Sequence, residues 1–280
     1  MDKYTYPTLR EIIEAQTLRR EYIRYLPLAR YVLYPIGYLI AWLAIRIGLT
    51  TEAVAWLSGI AGLIGFLLLM SSQECLLPIG IGLLILFNIL DCVDGSIART
   101  MNTQNPYGRF LDSLMGWIDM GFWALIGITS FQHSQLLLWP DPLGKGVIVW
   151  LAVGGLTCYF FNLLGHIERT FDRYVRKEWN SIRADSKTDS KDISRDGRTA
   201  KSTHRYTLLL ITMRMISKIN HNLRVRETHY FLLILAYLSK AIDLLLITFL
   251  FYYIMHVILL LVIYCKRGRQ LCDFLKKQQR

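Results

Sequence analysis

Four aspartates, Asp91, Asp94, Asp112 and Asp119, fall in the stretch LDCVDGSIARTMNTQNPYGRFLDSLMGWID (residues 90–119), between two apolar segments of the chain. Carboxylates at a membrane boundary are expensive unless they pair or do chemistry. On a helix, Asp91, Asp94, Gly95 and Ala98 stand at i, i+3, i+4 and i+7 and share one face. That face carries two carboxylates and two residues with little or no side chain, which leaves room for a ligand against the backbone. Arg99 follows as a guanidinium suited to phosphate. After a turn over 102–106, a second helix presents Gly108, Asp112, Gly116 and Asp119 as one stripe. Two such helices face to face would converge Asp91, Asp94 and Asp112, none of which has a cationic partner of its own in the sequence. Their repulsion calls for protonation or a divalent cation. All-oxygen donors suit Mg²⁺, Mn²⁺ or Ca²⁺ rather than zinc. An ion pathway is the competing reading, although these acids gather at one mouth and form no path across. A lone acid such as Asp243, near Lys240, reads instead as a structural charge that pairs or bonds backbone.

The elements that must position these residues are membrane helices. The chain has 280 residues, is 53% hydrophobic and carries a net charge of +11, which excludes disorder as a whole and argues against an ordinary soluble domain. Residues 53–70, 75–90, 113–131 and 146–165 are apolar runs of spanning or near-spanning length. The segment 229–265 reads as a short helix, a turn near 239–242 and a long final span. The expected fold is all-α and integral to the membrane, with about six transmembrane helices. An N-terminal amphipathic helix over 8–25 lies on the surface. Residues 31–45 are fifteen in number and reach about 22 Å, short of a hydrocarbon core of ~30 Å, so an interfacial or re-entrant helix is expected there. The N-terminus lacks the apolar region of a cleaved signal, and the five cysteines show neither disulfide nor zinc spacing.

Charge orients the chain. Fifteen Lys and Arg lie in 166–228 and six more follow Cys265; basic loops stay cytoplasmic, which puts both termini and the acidic stretch on that side. These cations flank spans, where anionic lipid accounts for them, so no nucleic-acid partner is expected. Arg169 and Arg173 read as such flanking charges or as ligands for an acceptor phosphate. The organisation is then surface and interfacial helices over 1–49, a membrane core over 50–168, a basic loop over 169–228, final membrane helices over 229–265 and a basic tail over 266–280. Within the loop, 183–202 has the composition of a disordered segment and 206–219 that of a surface amphipathic helix.

The residues DCVDGSIARTMNTQNPYGRFLD fit D-x2-D-G-x2-A-R-x8-G-x3-D, with seven fixed positions over 22 residues. This resembles the signature of the CDP-alcohol phosphotransferases, and GLTTEAVAWLSGIAG resembles the entry to that family's first span. The resemblance implies transfer of a substituted phosphoryl group from a CDP-alcohol to an acceptor hydroxyl with release of CMP, in phospholipid or polar-lipid biosynthesis. It implies Asp91, Asp94 and Asp112 as ligands of Mg²⁺ or Mn²⁺, and Gly95, Ala98, Arg99 and Gly108 as the lining of the CDP site. The donor is either CDP-diacylglycerol with a polar acceptor such as a polyol phosphate, or a CDP-linked headgroup with a lipid acceptor; a homodimer is compatible with either. The pattern departs at Gly116, where the family's further Asp, its usual general base, is expected. Three readings stay open: Asp119 substitutes as base, the acceptor attacks through an already ionised oxygen, or the chain is a CDP-lipid-binding membrane scaffold without catalysis.

Overall fold

The computed structural model describes residues 6–17, 19, 23–141, 144, 146–188 and 218–278. Its order is α1 (Leu9–Glu14), α2 (Tyr34–Arg46), α3 (Thr51–Leu69), α4 (Leu77–Thr100), α5 (Pro106–Gly116), α6 (Phe122–Gln132), α7 (Val149–Phe171), α8 (Lys177–Thr188), α9 (Arg226–Leu238) and α10 (Ile242–Gln278), with no strand among the described residues. Five continuous helical stretches are long and apolar enough to cross a membrane: Thr51–Leu69, Glu74–Thr100, Pro106–Gln132, Gly146–Ile182 and Ile242–Lys276. The protein is an all-α integral membrane protein. The apolar helix α9 has 13 residues and reaches only about 20 Å. The chain then reverses at Lys240, whose φ is 53°, to enter α10.

Local signals explain the helix starts. The Thr50 side chain accepts from the Ala53 amide at 3.2 Å and caps α3. Asn105 accepts from the Gly108 amide at 2.6 Å and caps α5, with Pro106 behind it; proline suits a first turn whose N–H would go unpaired.

Small residues set the helix crossings, as they do where lipid removes any hydrophobic drive between helices. A Cβ on Gly65 would stand 3.1 Å from the Gly80 carbonyl, which locks α3 against α4; a Cβ on Gly154 would stand 2.5 Å from the Gly127 Cα, which brings α6 and α7 into backbone contact. Ser58 Oγ adds a hydrogen bond to the Phe87 carbonyl at 3.2 Å. Inside, Phe87, Phe122, Trp123, Trp150 and Tyr253 are fully buried, whereas Leu57, Ile60, Leu63 and Leu67 of α3 and Phe251, Met255, Ile258 and Val262 of α10 are exposed on the outside of the bundle, as suits helices that face lipid.

Three local expectations are corrected. The acidic stripe does not continue as one α-helix: α5 ends at Gly116 and a 3₁₀ turn covers Trp117–Gly121. At three residues per turn in place of 3.6, the three steps from Gly116 to Asp119 rotate that side chain by about 60° more than an α-helix would. The N-terminal helix is shorter than 8–25: it opens on a Thr8–Glu11 capping box and turns at Ala15, where Gln16 is drawn completely inside. Residues 183–188, expected within a disordered stretch, are the end of α8. Asp243 is the structural charge expected: its carboxylate bonds backbone, accepting from the amides of Trp139 (2.7 Å) and Leu244 (3.0 Å). Residues 189–217, with most of that stretch and most of the helix expected at 206–219, lie outside the described residues. The segment 31–45 forms a π turn (Ala29–Leu33) and α2. α2 is not among the crossing helices and packs beside the end of α4, where a Cβ on Gly37 would lie 3.3 Å from that of Cys92.

Candidate active site

The C-terminal end of α4 and the start of α5 open on one cavity of about 540 Å³. Asp91, Asp94, Gly95, Ala98 and Arg99 reach it from α4, and Gly108 and Asp112 from α5. The turn between them is tightened by Asn102, at φ 54°, a left-handed conformation that asparagine tolerates. Leu111 and Met115 are the buried residues of α5, Met115 lying over Gly59 of α3, while Asp112 stays exposed toward the cavity.

Each charged group has a defined setting. The Arg99 guanidinium donates through Nε to the Gln16 side-chain oxygen. Gln16 is anchored in turn by its amide nitrogen to the carbonyls of Ile12 (3.2 Å) and Ser96 (3.3 Å). Arg99 folds back over Gly95, where a Cβ would sit 3.0 Å from Nη1; glycine there lets the guanidinium lie along the helix face. Across the cavity mouth, Arg19 Nε meets the Tyr34 hydroxyl at 2.5 Å.

Asp91 departs from expectation. It does have a cationic partner: Arg226, the first residue of α9, pairs with it through Nη2. The same guanidinium donates through Nε to Asn88 Oδ1 at 3.1 Å and lies 4.6 Å from the centre of the Phe87 ring. Asp94 and Asp112 carry no ion pair among the described residues, and no three His, Cys, Asp or Glu side chains there stand closely enough to hold a metal ion.

Asp119 does not line the cavity that holds the motif residues. It faces a smaller one of about 270 Å³, shared with Asp91, Arg19, Arg224, Arg226 and Glu227. The Tyr230 hydroxyl donates to its Oδ1 at 2.7 Å. Gly116 faces open space, with nothing within 4 Å of a built Cβ. A third cavity, of about 470 Å³, is lined by Asn162, Glu168, Arg169, His221 and Arg224, but not by Arg173; Arg224 is held there by both oxygens of Glu168, through Nη1 at 2.7 Å and through Nη2.

Sequence reasoning missed Gln16, Tyr34, Arg226 and Tyr230. Arg226 sits where any basic residue flanking a span would sit, and Gln16 lies in an ordinary amphipathic pattern, so neither carries a local signal of a site.

A comparison with curated proteins finds no match. A family model, CDP-alcohol phosphatidyltransferase, matches residues 33–174, from the entry to α2 through the end of α7, about half of the 280 residues. The matched region contains both helices of the acidic cavity, and Arg226 and Tyr230 lie beyond it. The chain belongs to the CDP-alcohol phosphatidyltransferase family.

Proposed function

We propose that this protein moves the substituted phosphoryl group of a CDP-alcohol to an acceptor hydroxyl, with release of CMP, at the cavity between α4 and α5, in the making of a phospholipid or other polar lipid. The observation that carries this is the gathering of all seven motif residues on that one cavity. Arg99, held by Gln16, offers a fixed guanidinium to the diphosphate, and Gly95 and Ala98 let the nucleotide approach the helix backbone. The donor chemistry fits a hard divalent ion, since Mg²⁺ is commonly held by one or two carboxylates together with substrate phosphates. Asp94 and Asp112 are the two carboxylates available for that. A bound Mg²⁺ or Mn²⁺ would act there as a Lewis acid toward the diphosphate.

The acceptor enters from the smaller cavity, which meets the first at Asp91. Its oxygen forms the new bond to phosphorus as the bond to CMP breaks, and Asp119 takes the hydroxyl proton. Tyr230 orients the Asp119 carboxylate through Oδ1 and leaves Oδ2 for that proton. Asp119→Asn should lower CMP formation about 10²–10⁴-fold, the usual worth of a positioned base, with little change in donor binding. Gly116→Asp should be tolerated, because the new side chain meets open space. Purified protein assayed for CMP release with panels of CDP-alcohols and acceptors tests the reaction; equal rates in the parent and both variants would remove Asp119 from it. Donor binding without CMP release in any of them would favour the scaffold reading.

The cavity is proposed to face the cytoplasm, with the basic ends of α7 and α10. Cys75, before α4, and Cys272, near the end of α10, are both exposed and lie at opposite ends of the bundle. A membrane-impermeant maleimide should label Cys75 from the outer face and Cys272 only from the inner face. The reverse pattern would move the cavity to the outside.

A further inference from the structure

We propose that Arg226, a cation of the smaller cavity, holds Asp91 out of metal ligation and restricts the acidic cavity to one divalent ion on Asp94 and Asp112. The inference rests on the divalent-ion reading above and adds the count of ions, the ligand set and the residue that decides both.

Three contacts fix the guanidinium. Its Nη2 pairs with Asp91, its Nε donates to Asn88 Oδ1 at 3.1 Å, and its Cζ lies over the Phe87 ring, 4.6 Å from the centre. Asn88 and Phe87 are themselves buried. The Phe87 ring cannot retreat, since it already fills the notch over Gly62, 3.1 Å from where a Cβ would be. A planar guanidinium held by a carboxylate, an amide oxygen and an aromatic face is far more pre-organised than an ammonium would be. α9 repeats the device one turn later: Tyr230, four residues on, gives its hydroxyl to Asp119. α9 thus supplies a partner to both aspartates that border the smaller cavity, Arg226 to Asp91 and Tyr230 to Asp119.

The ligand set follows from the pairing. With Asp91 paired to Arg226, Asp94 and Asp112 are the two motif carboxylates left to hold a divalent ion, while Arg99 and Arg109 on the same cavity face the phosphates. A second ion would have to displace the part-buried Arg226 guanidinium from Asp91, and a charge so placed is disfavoured without its partner.

The test uses Mn²⁺ alone as probe, titrated into the purified full chain without substrate, with free Mn²⁺ read by electron paramagnetic resonance. The parent should bind one equivalent. Asp91→Asn should also bind one, with affinity little changed, whereas Asp94→Asn and Asp112→Asn should weaken it by about tenfold or more. Arg226→Gln, which releases the Asp91 carboxylate, should take up a second equivalent; Arg226→Lys should stay at one. Two equivalents on the parent, a tenfold loss of affinity in Asp91→Asn, or a single equivalent on folded Arg226→Gln would each overturn the proposal and leave the divalent-ion reading standing. No binding to any of the proteins would overturn both. If Arg226→Gln does not fold, Asp91→Asn decides alone, because it keeps a hydrogen-bonding group opposite Arg226 and removes only the charge a metal would need.

Discussion

Asp94→Asn and Asp112→Asn should each lower CMP release by more than about a hundredfold, beyond the range seen when only the groups behind a metal's ligands are altered, while the protein still inserts and elutes as the parent does. The two residues line the same cavity from different helices, and neither is tied to another element by an ion pair among the described residues. Their replacement therefore removes charge from the cavity without loosening the bundle. EDTA should produce the same loss in the parent, and Mg²⁺ or Mn²⁺ should restore it. Assays of CMP release on detergent-purified protein, with thermal unfolding followed in parallel, separate lost chemistry from lost fold. Turnover indifferent to EDTA would remove the metal from the reaction and leave Arg99 and Arg109, which line the same cavity, as cations available to the diphosphate.

Gly154→Leu should be the most damaging single change outside the cavity. The Gly154 Cβ position lies 2.5 Å from the Gly127 Cα and 2.9 Å from the Trp123 carbonyl. Those are backbone atoms, which cannot swing aside as a side-chain end can. Overfilling a packed core costs about 1–3 kcal/mol when side chains can adjust; here two helices must separate, and the cost exceeds that range. Trp123 and Trp150, both fully buried beside this crossing, would lose their packing with it. Gly155→Leu is the matched control, since nothing lies within 4 Å of its Cβ position. Thermal unfolding in detergent should show a large drop for Gly154→Leu and almost none for Gly155→Leu. Similar behaviour of the two would contradict the close approach of α6 and α7.

Much of this protein is written locally. Asp91, Asp94, Gly95, Ala98 and Arg99 share a face because helical periodicity puts them there. Asn105 and Pro106 start the next helix at the residue needed to bring Gly108 and Asp112 round to the same cavity. The long apolar runs imply a helical membrane bundle because a backbone in lipid must satisfy its own hydrogen bonds. These properties depend on residues a few positions apart, so a linear reading reaches them.

What the tertiary structure alone decided depends on residues far apart in the chain. Arg226 reaches Asp91 and Asn88, and Gln16 reaches Arg99, only because α9 and the N-terminal segment pack against the same end of α4. No periodicity in residues 90–119 marks either partner. The position of Asp119 was misjudged for a related reason: an extra rotation in the 3₁₀ turn at Trp117–Gly121 takes it off the stripe of Asp112 and sets it against Tyr230. Sequence determined which acids this protein carries and the membrane helices that hold them. Packing decided which of those acids is already neutralised, because a charge leaving water must find its partner wherever the fold brings one within reach.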